Sequence, residues 1–144
     1  MSQVRRVLCP IDFSEPSDAA LAYAAMLSEQ LNAELHVLHT WELSAYASPE
    51  SELAKDTRRS IDAELDAAIA RTVKNGMKVQ KHCKLGPAPA TIVATARELD
   101  IDHIVMGTNG KAGLERLLVG SVAEEVVRSA DVPVTTVRHR PKKP

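Results

Sequence analysis

Five short apolar segments alternate with four helical patterns along this chain of 144 residues, and no other feature restricts its fold as strongly. Strands are expected over Val4–Pro10, Glu34–Thr40, Met77–Cys83, Ile101–Met106 and Val132–Val137. Helices are expected from about Glu15 to Leu31, Glu50 to Lys74, Ala90 to Leu99 and Ser121 to Ala130. Ser14 suits an N-cap, Pro16 suits a first turn, and Asn75-Gly76 reads as a helix stop. Ala20, Ala24, Leu27 and Leu31 recur at helical spacing, as do Ile61, Leu65, Ala68 and Thr72, so each set should face the core. Apolar strands separated by helices imply a parallel sheet covered on both faces. Right-handed crossovers then make it doubly wound. The expected class is α/β, a single Rossmann-like sheet of five parallel strands in the order 3-2-1-4-5. Residues 1–140 should form one domain, and 141–144 a short basic tail.

In such sheets ligands bind beyond the carboxyl ends of the strands, where the strand order reverses. The first and fourth strands meet there. One ends in Pro10-Ile11-Asp12, the other in Met106-Gly107-Thr108, followed by Asn109-Gly110-Lys111-Ala112-Gly113 and, further on, Gly120-Ser121. Strand, glycine-rich loop and helix N-terminus in that order present backbone N–H groups and a positive dipole end to an anion. Glycine lets a phosphate approach without meeting a Cβ. Ser121 adds a hydroxyl donor at a helix start. Lys111 is a candidate charge partner, and Thr108 and Asn109 are candidate contacts. Each has a plain structural alternative: Asp12 as a loop cap, Ser121 as an N-cap, Lys111 as a solvated cation.

Two familiar phosphate motifs do not fit. A P-loop needs four residues between its glycines and a hydroxyl after the lysine; here two residues separate Gly107 from Gly110, and Ala112 follows Lys111. The dinucleotide fingerprint is also absent, and it belongs after the first strand rather than the fourth.

Composition removes other classes. A formal net charge of −1 gives no global attraction to nucleic acid or to an anionic membrane. No apolar run approaches the ~20 residues of a membrane span, and the N-terminus lacks a signal-peptide core, so the chain reads as cytoplasmic. Aromatic residues are only 3%, so Val, Leu, Ile and Ala must build the core. Cys9 and Cys83 read as small buried hydrophobes. His36 and His39 lie three apart on one strand and must point to opposite faces, which argues against a shared metal.

The spacing Gly107-x2-Gly110-x9-Gly120-Ser121 resembles the ATP-binding branch of the universal stress protein family. The resemblance extends over nearly the whole chain. It includes Val7-Leu8-Cys9-Pro10-Ile11-Asp12, His36-Val37-Leu38-His39, Leu117-Leu118-Val119-Gly120-Ser121-Val122-Ala123 and Ala130-Asp131-Val132-Pro133-Val134. It implies that Asp12 sits at the ribose and phosphate side through a divalent cation, Mg²⁺ or Mn²⁺. It implies that Ile11 and Val37 line the adenine slot, with Val37 offering backbone hydrogen bonds. Gly107 would pass under the ribose, and Gly110, Gly120, Ser121 and Val122 would surround the phosphates. The implied ligand is ATP, with AMP or ADP as alternatives. The implied assembly is a homodimer through the last strand, where Thr135 and Thr136 replace expected aliphatic residues. Catalytic machinery is sparse: one carboxylate, one hydroxyl, one loop lysine, and Arg116 nearby. The expected function is a stress or signalling module that binds an adenine nucleotide. A slow Mg²⁺-dependent ATPase and a nucleotide-free interaction module are the alternatives.

Overall fold

The computed structural model of the chain describes residues 3–108 and 119–139. Among them lie β1 (Arg6–Pro10), α1 (Glu15–Leu31), β2 (Glu34–Trp41), α2 (Glu52–Thr72), β3 (Val79–Leu85), α3 (Ala88–Glu98), β4 (His103–Gly107), α4 (Ser121–Ser129) and β5 (Val134–Val137). The strands form one parallel sheet in the order β3-β2-β1-β4-β5, as expected.

Two apolar layers flank the sheet. Val7, Cys9, Leu35, Val37 and Val105 pack with Leu21, Ala24, Ile61 and Leu65 of α1 and α2. On the opposite face Leu8, Leu38, Ile104 and Met106 pack with Ile92 and Ala96 of α3 and with Ala123 and Val126 of α4. Alternation along each strand sends neighbouring residues to opposite layers.

Local chemistry sets the element boundaries. The Ser14 hydroxyl accepts from Ser17 N–H to start α1, and Asn32 ends it in the left-handed conformation at φ 53°. The buried face of α1 is Ser17, Ala20, Leu21, Ala24, Ala25 and Ser28. Leu27 is only half-buried and Leu31 is exposed, contrary to the expected stripe. The small residues win that face because α1 lies close to the sheet: a Cβ on Gly107 would sit 3.1 Å from the Pro16 carbonyl oxygen. Ser51 caps α2 by accepting from Ala54 N–H, so the helix starts at Glu52. α3 starts at Ala88, two residues early, because Pro89 needs no N–H partner in a first turn.

β1, β3, β4 and β5 each begin two residues later than expected. At β1 and β4 the reason is visible. The Asp102 carboxylate accepts from the N–H groups of Arg5 (2.8 Å) and Arg6 (3.0 Å). A side chain therefore meets donors that a longer ladder would have used. At the far edge β3 runs on to Leu85, and Gly86 N–H still reaches Trp41 O at 2.8 Å.

Candidate functional site

The sheet opens where the strand order reverses. β1 pairs with β2 from Arg6↔Glu34 to Pro10↔Leu38, but with β4 only at Val7↔His103 and Leu8↔Ile104. The cause is covalent. Ile11 N–H donates to Leu38 O on the β2 side, so the nitrogen of Pro10, one residue back, faces β4. Proline has no N–H to give there. The ladder stops, and Pro10-Ile11-Asp12 and Met106-Gly107-Thr108 flank the switch point, where this topology places its crevice.

Each wall is tied down. Asp12 Oδ1 accepts from Ser14 N–H (3.1 Å) and Ser14 Oγ–H (2.5 Å), and Asp12 N–H donates to Ser17 Oγ (2.9 Å). The loop-cap role of Asp12 is thus real, and it leaves Oδ2 as the oxygen not used by the turn. Phe13 follows with φ 66°, a left-handed conformation uncommon for an aromatic residue. Its ring stacks on His39 at 4.4 Å between centroids. The His39 Nδ1–H donates to Ile11 O at 2.8 Å.

On the β4 side, Thr108 N–H donates to Val137 O (3.2 Å), and Gly120 N–H donates to Thr108 O (2.5 Å). This contact brings the start of α4 back to the end of β4. Gly120, not Ser121, is the N-cap of α4, with no side-chain cap bond, and Ser121 is exposed at the first helical position. Asn109, Gly110, Lys111, Gly113 and Arg116 lie outside the described residues, as does the tail from Arg140.

The crevice therefore gathers Pro10, Asp12, Gly107, Thr108, Gly120 and Ser121. Ile11, Met106 and Val122 flank it, but their side chains pack into the two core layers. Cys9, one residue before Pro10, is fully buried, and burial pushes its thiol far up, which leaves it protonated and inert. Val37 is placed differently from the expectation. It is fully buried and pairs with Cys9 on one side and Lys81 on the other, so neither its side chain nor its backbone faces the crevice.

The residues level with the end of β1 are His39 and Thr40. Alternation puts the Thr40 N–H and C=O on the β1 side. In a regular ladder Thr40 N–H would donate to Ile11 O; instead the ladder ends at Pro10↔Leu38, and Ile11 O accepts from His39 Nδ1–H. The Thr40 amide pair thus faces β1 just beyond the last rung of the β1–β2 ladder. The three-residue step from Val37 to Thr40 is invisible to periodicity, because it depends on register with β1. No signal in the sequence says which carbonyl the His39 imidazole will reach.

The other expectations for histidine and cysteine hold in part. His36 and His39 do face opposite layers, and His36 Nδ1 lies 2.9 Å from His82 Nε2 across the β2–β3 pair. Cys83 is half-buried rather than buried. No group of three or more His, Cys, Asp or Glu able to hold a metal occurs among the described residues. No described helix is long and apolar enough to cross a membrane.

A doubly wound parallel sheet in the order β3-β2-β1-β4-β5 with helices on both faces defines a Rossmann-like α/β protein. The universal stress protein family model matches residues 3–138, and the chain belongs to that family. It is 31% identical to universal stress protein MJ0531 of Methanocaldococcus jannaschii over 144 aligned residues, covering 96% of this chain and 84% of that protein. Among solved structures, the MJ0577 protein superimposes with a TM-score of 0.83 at 26% identity, over 97% of this chain and 99% of that one. A universal stress protein in complex with cAMP superimposes with a TM-score of 0.76 at 24% identity, over 94% and 98% of the two chains.

Proposed function

We propose that this protein is a stress or signalling module that holds an adenine nucleotide, ATP foremost, in the crevice between β1 and β4. The observation that carries this reading is the Thr40 amide pair. A backbone N–H beside a C=O matches the acceptor–donor edge of adenine, where N1 accepts and N6 donates. Thr40 thus takes the role first expected of Val37. Gly107 leaves the ribose room on the crevice side. The uncapped N-terminus of α4, with Gly120, Ser121 and Val122, would receive phosphate oxygens together with Gly110 and Lys111 of the loop. The adenine nucleotide cAMP in the related structure is a ligand of the same class.

Asp12 Oδ2 is the oxygen left to hold Mg²⁺ or Mn²⁺ against the phosphates. A single carboxylate suits Mg²⁺, which keeps waters and takes its other ligands from substrate phosphate. Binding rather than turnover is the role proposed for this site. β5 is an edge strand of the sheet and is the surface proposed for a homodimer.

The test is the nucleotide content of the protein as purified, followed by titration with ATP. Bound ATP, or saturable ATP binding that Gly110→Val abolishes, is the expected result. A protein that is empty and also fails to bind added ATP would leave the nucleotide-free interaction module in its place. Release of ADP from bound ATP, lost in Asp12→Ala, would favour the slow ATPase.

A further inference from the structure

We propose that His39 is a positioning residue that keeps the Thr40 N–H available for a ligand by holding the Ile11 carbonyl, through its own hydrogen bond, out of line with that N–H. The proposal rests on the nucleotide reading only for the identity of the ligand.

The argument starts from the ladder between β1 and β2. Its last backbone bond is Ile11 N–H to Leu38 O at 2.8 Å. Parallel pairing calls for Thr40 N–H to Ile11 O as the next rung. That rung is missing, although β2 continues to Trp41 and stays paired with β3 through Thr40↔Lys84 and Trp41↔Leu85. In its place the His39 Nδ1–H reaches Ile11 O at 2.8 Å. A carbonyl oxygen only accepts, so the proton must be on Nδ1, in the neutral and the charged ring alike.

His39 secures the diversion from a second side. Its ring stacks on Phe13 at 4.4 Å with 29° between planes. Phe13 holds φ 66° on the far side of Asp12. One imidazole from β2 therefore grips the residues before and after Asp12. The diversion falls where the missing rung would have joined the chain after β1 to β2. If Ile11 O were released, Thr40 N–H could take it and add one rung to the β1–β2 ladder.

The experiment is amide hydrogen exchange at Thr40, read beside the ring tautomer and ATP affinity. His39→Phe keeps a ring against Phe13 and removes the donor. His39→Asn restores an N–H close to the place of Nδ1. Thr40 in the unmutated protein should exchange about tenfold faster than in His39→Phe, because the variant lets the rung form. His39→Asn should exchange like the unmutated protein. ATP should bind His39→Phe about tenfold more weakly, and the Asn variant should recover most of that loss. In the unmutated protein, ¹⁵N spectra should show the His39 proton on Nδ1. That reading decides the matter even where His39→Phe does not fold. A proton on Nε2, or equal Thr40 exchange in the unmutated and Phe forms, overturns the proposal. If ATP fails to bind the unmutated protein, the nucleotide reading falls alone. The tautomer and the exchange rates still test His39.

Discussion

β1 has two neighbours and treats them differently. Toward β2 it pairs along all five of its residues, from Arg6 to Pro10. Toward β4 it pairs at Val7 and Leu8 and then lets go. The side chains on the two sides are alike, since Val7, Leu8, Ile104 and Val105 are all fully buried. The difference lies in the backbone, where one absent hydrogen on Pro10 falls on the β4 side. The same strand is adhesive on one flank and a crevice wall on the other. A ladder can thus be ended inside a sheet without weakening the core beneath it.

Removing the shared foundation should have the largest effect. Leu8 is fully buried and belongs to the last paired position between β1 and β4. Leu8→Ala should cost about 2–5 kcal/mol in urea unfolding, through lost burial and a cavity. A cost well under that range would mean the two halves do not share one core.

Pro10→Ala tests the contrast itself. It returns a donor toward β4 and is expected to lengthen the β1–β4 ladder. Stability should change by no more than about 1 kcal/mol, since the gained bond offsets a looser unfolded chain. ATP affinity should fall about tenfold as the crevice narrows. Unchanged affinity would show that proline is not what holds the strands apart.

The smallest effect concerns the β2–β3 edge, far from the crevice. Burial, then the nearby His36 and Lys84, pushes the His82 pKa below its ordinary value. The fold therefore favours neutral His82. Its contribution to stability is present above the ordinary histidine pKa of ~6.5 and lost as pH falls through and below it. The melting temperature should drop on acidification through that window, and His82→Gln should flatten the drop. ATP affinity should follow the crevice rather than this edge. A matching fall in affinity that His82→Gln also removes would tie the two regions together.

The sequence carried the topology well, because an apolar run between two helical patterns has few alternatives. It carried the crevice for the same reason: Asp12 and Gly107 each end a strand at the switch point. It misled wherever the answer depended on a neighbour. Leu27 and Leu31 looked like the core face of α1 by hydrophobicity, yet the buried face runs through Ser17, Ala20, Leu21, Ala24, Ala25 and Ser28. Val37 looked like a ligand residue, yet it pairs with Cys9 and Lys81 and is fully buried within the sheet. Ser121 looked like a cap, yet Gly120 holds that place because its N–H is bound to Thr108 O. Strand starts shifted because Asp102, a side chain distant in sequence, met the N–H groups of Arg5 and Arg6.

Trp41 ends β2 one residue beyond Thr40, half-buried against the core, and it is the only tryptophan in the chain. The molecule therefore carries its own optical probe at the carboxyl end of β2. Tyr46 is fully exposed and Tyr23 largely so, and both can be left dark by exciting at the red edge of the indole band. Light collected that way comes from a single point, and a change in its colour on adding a ligand reports on the end of β2 without any label.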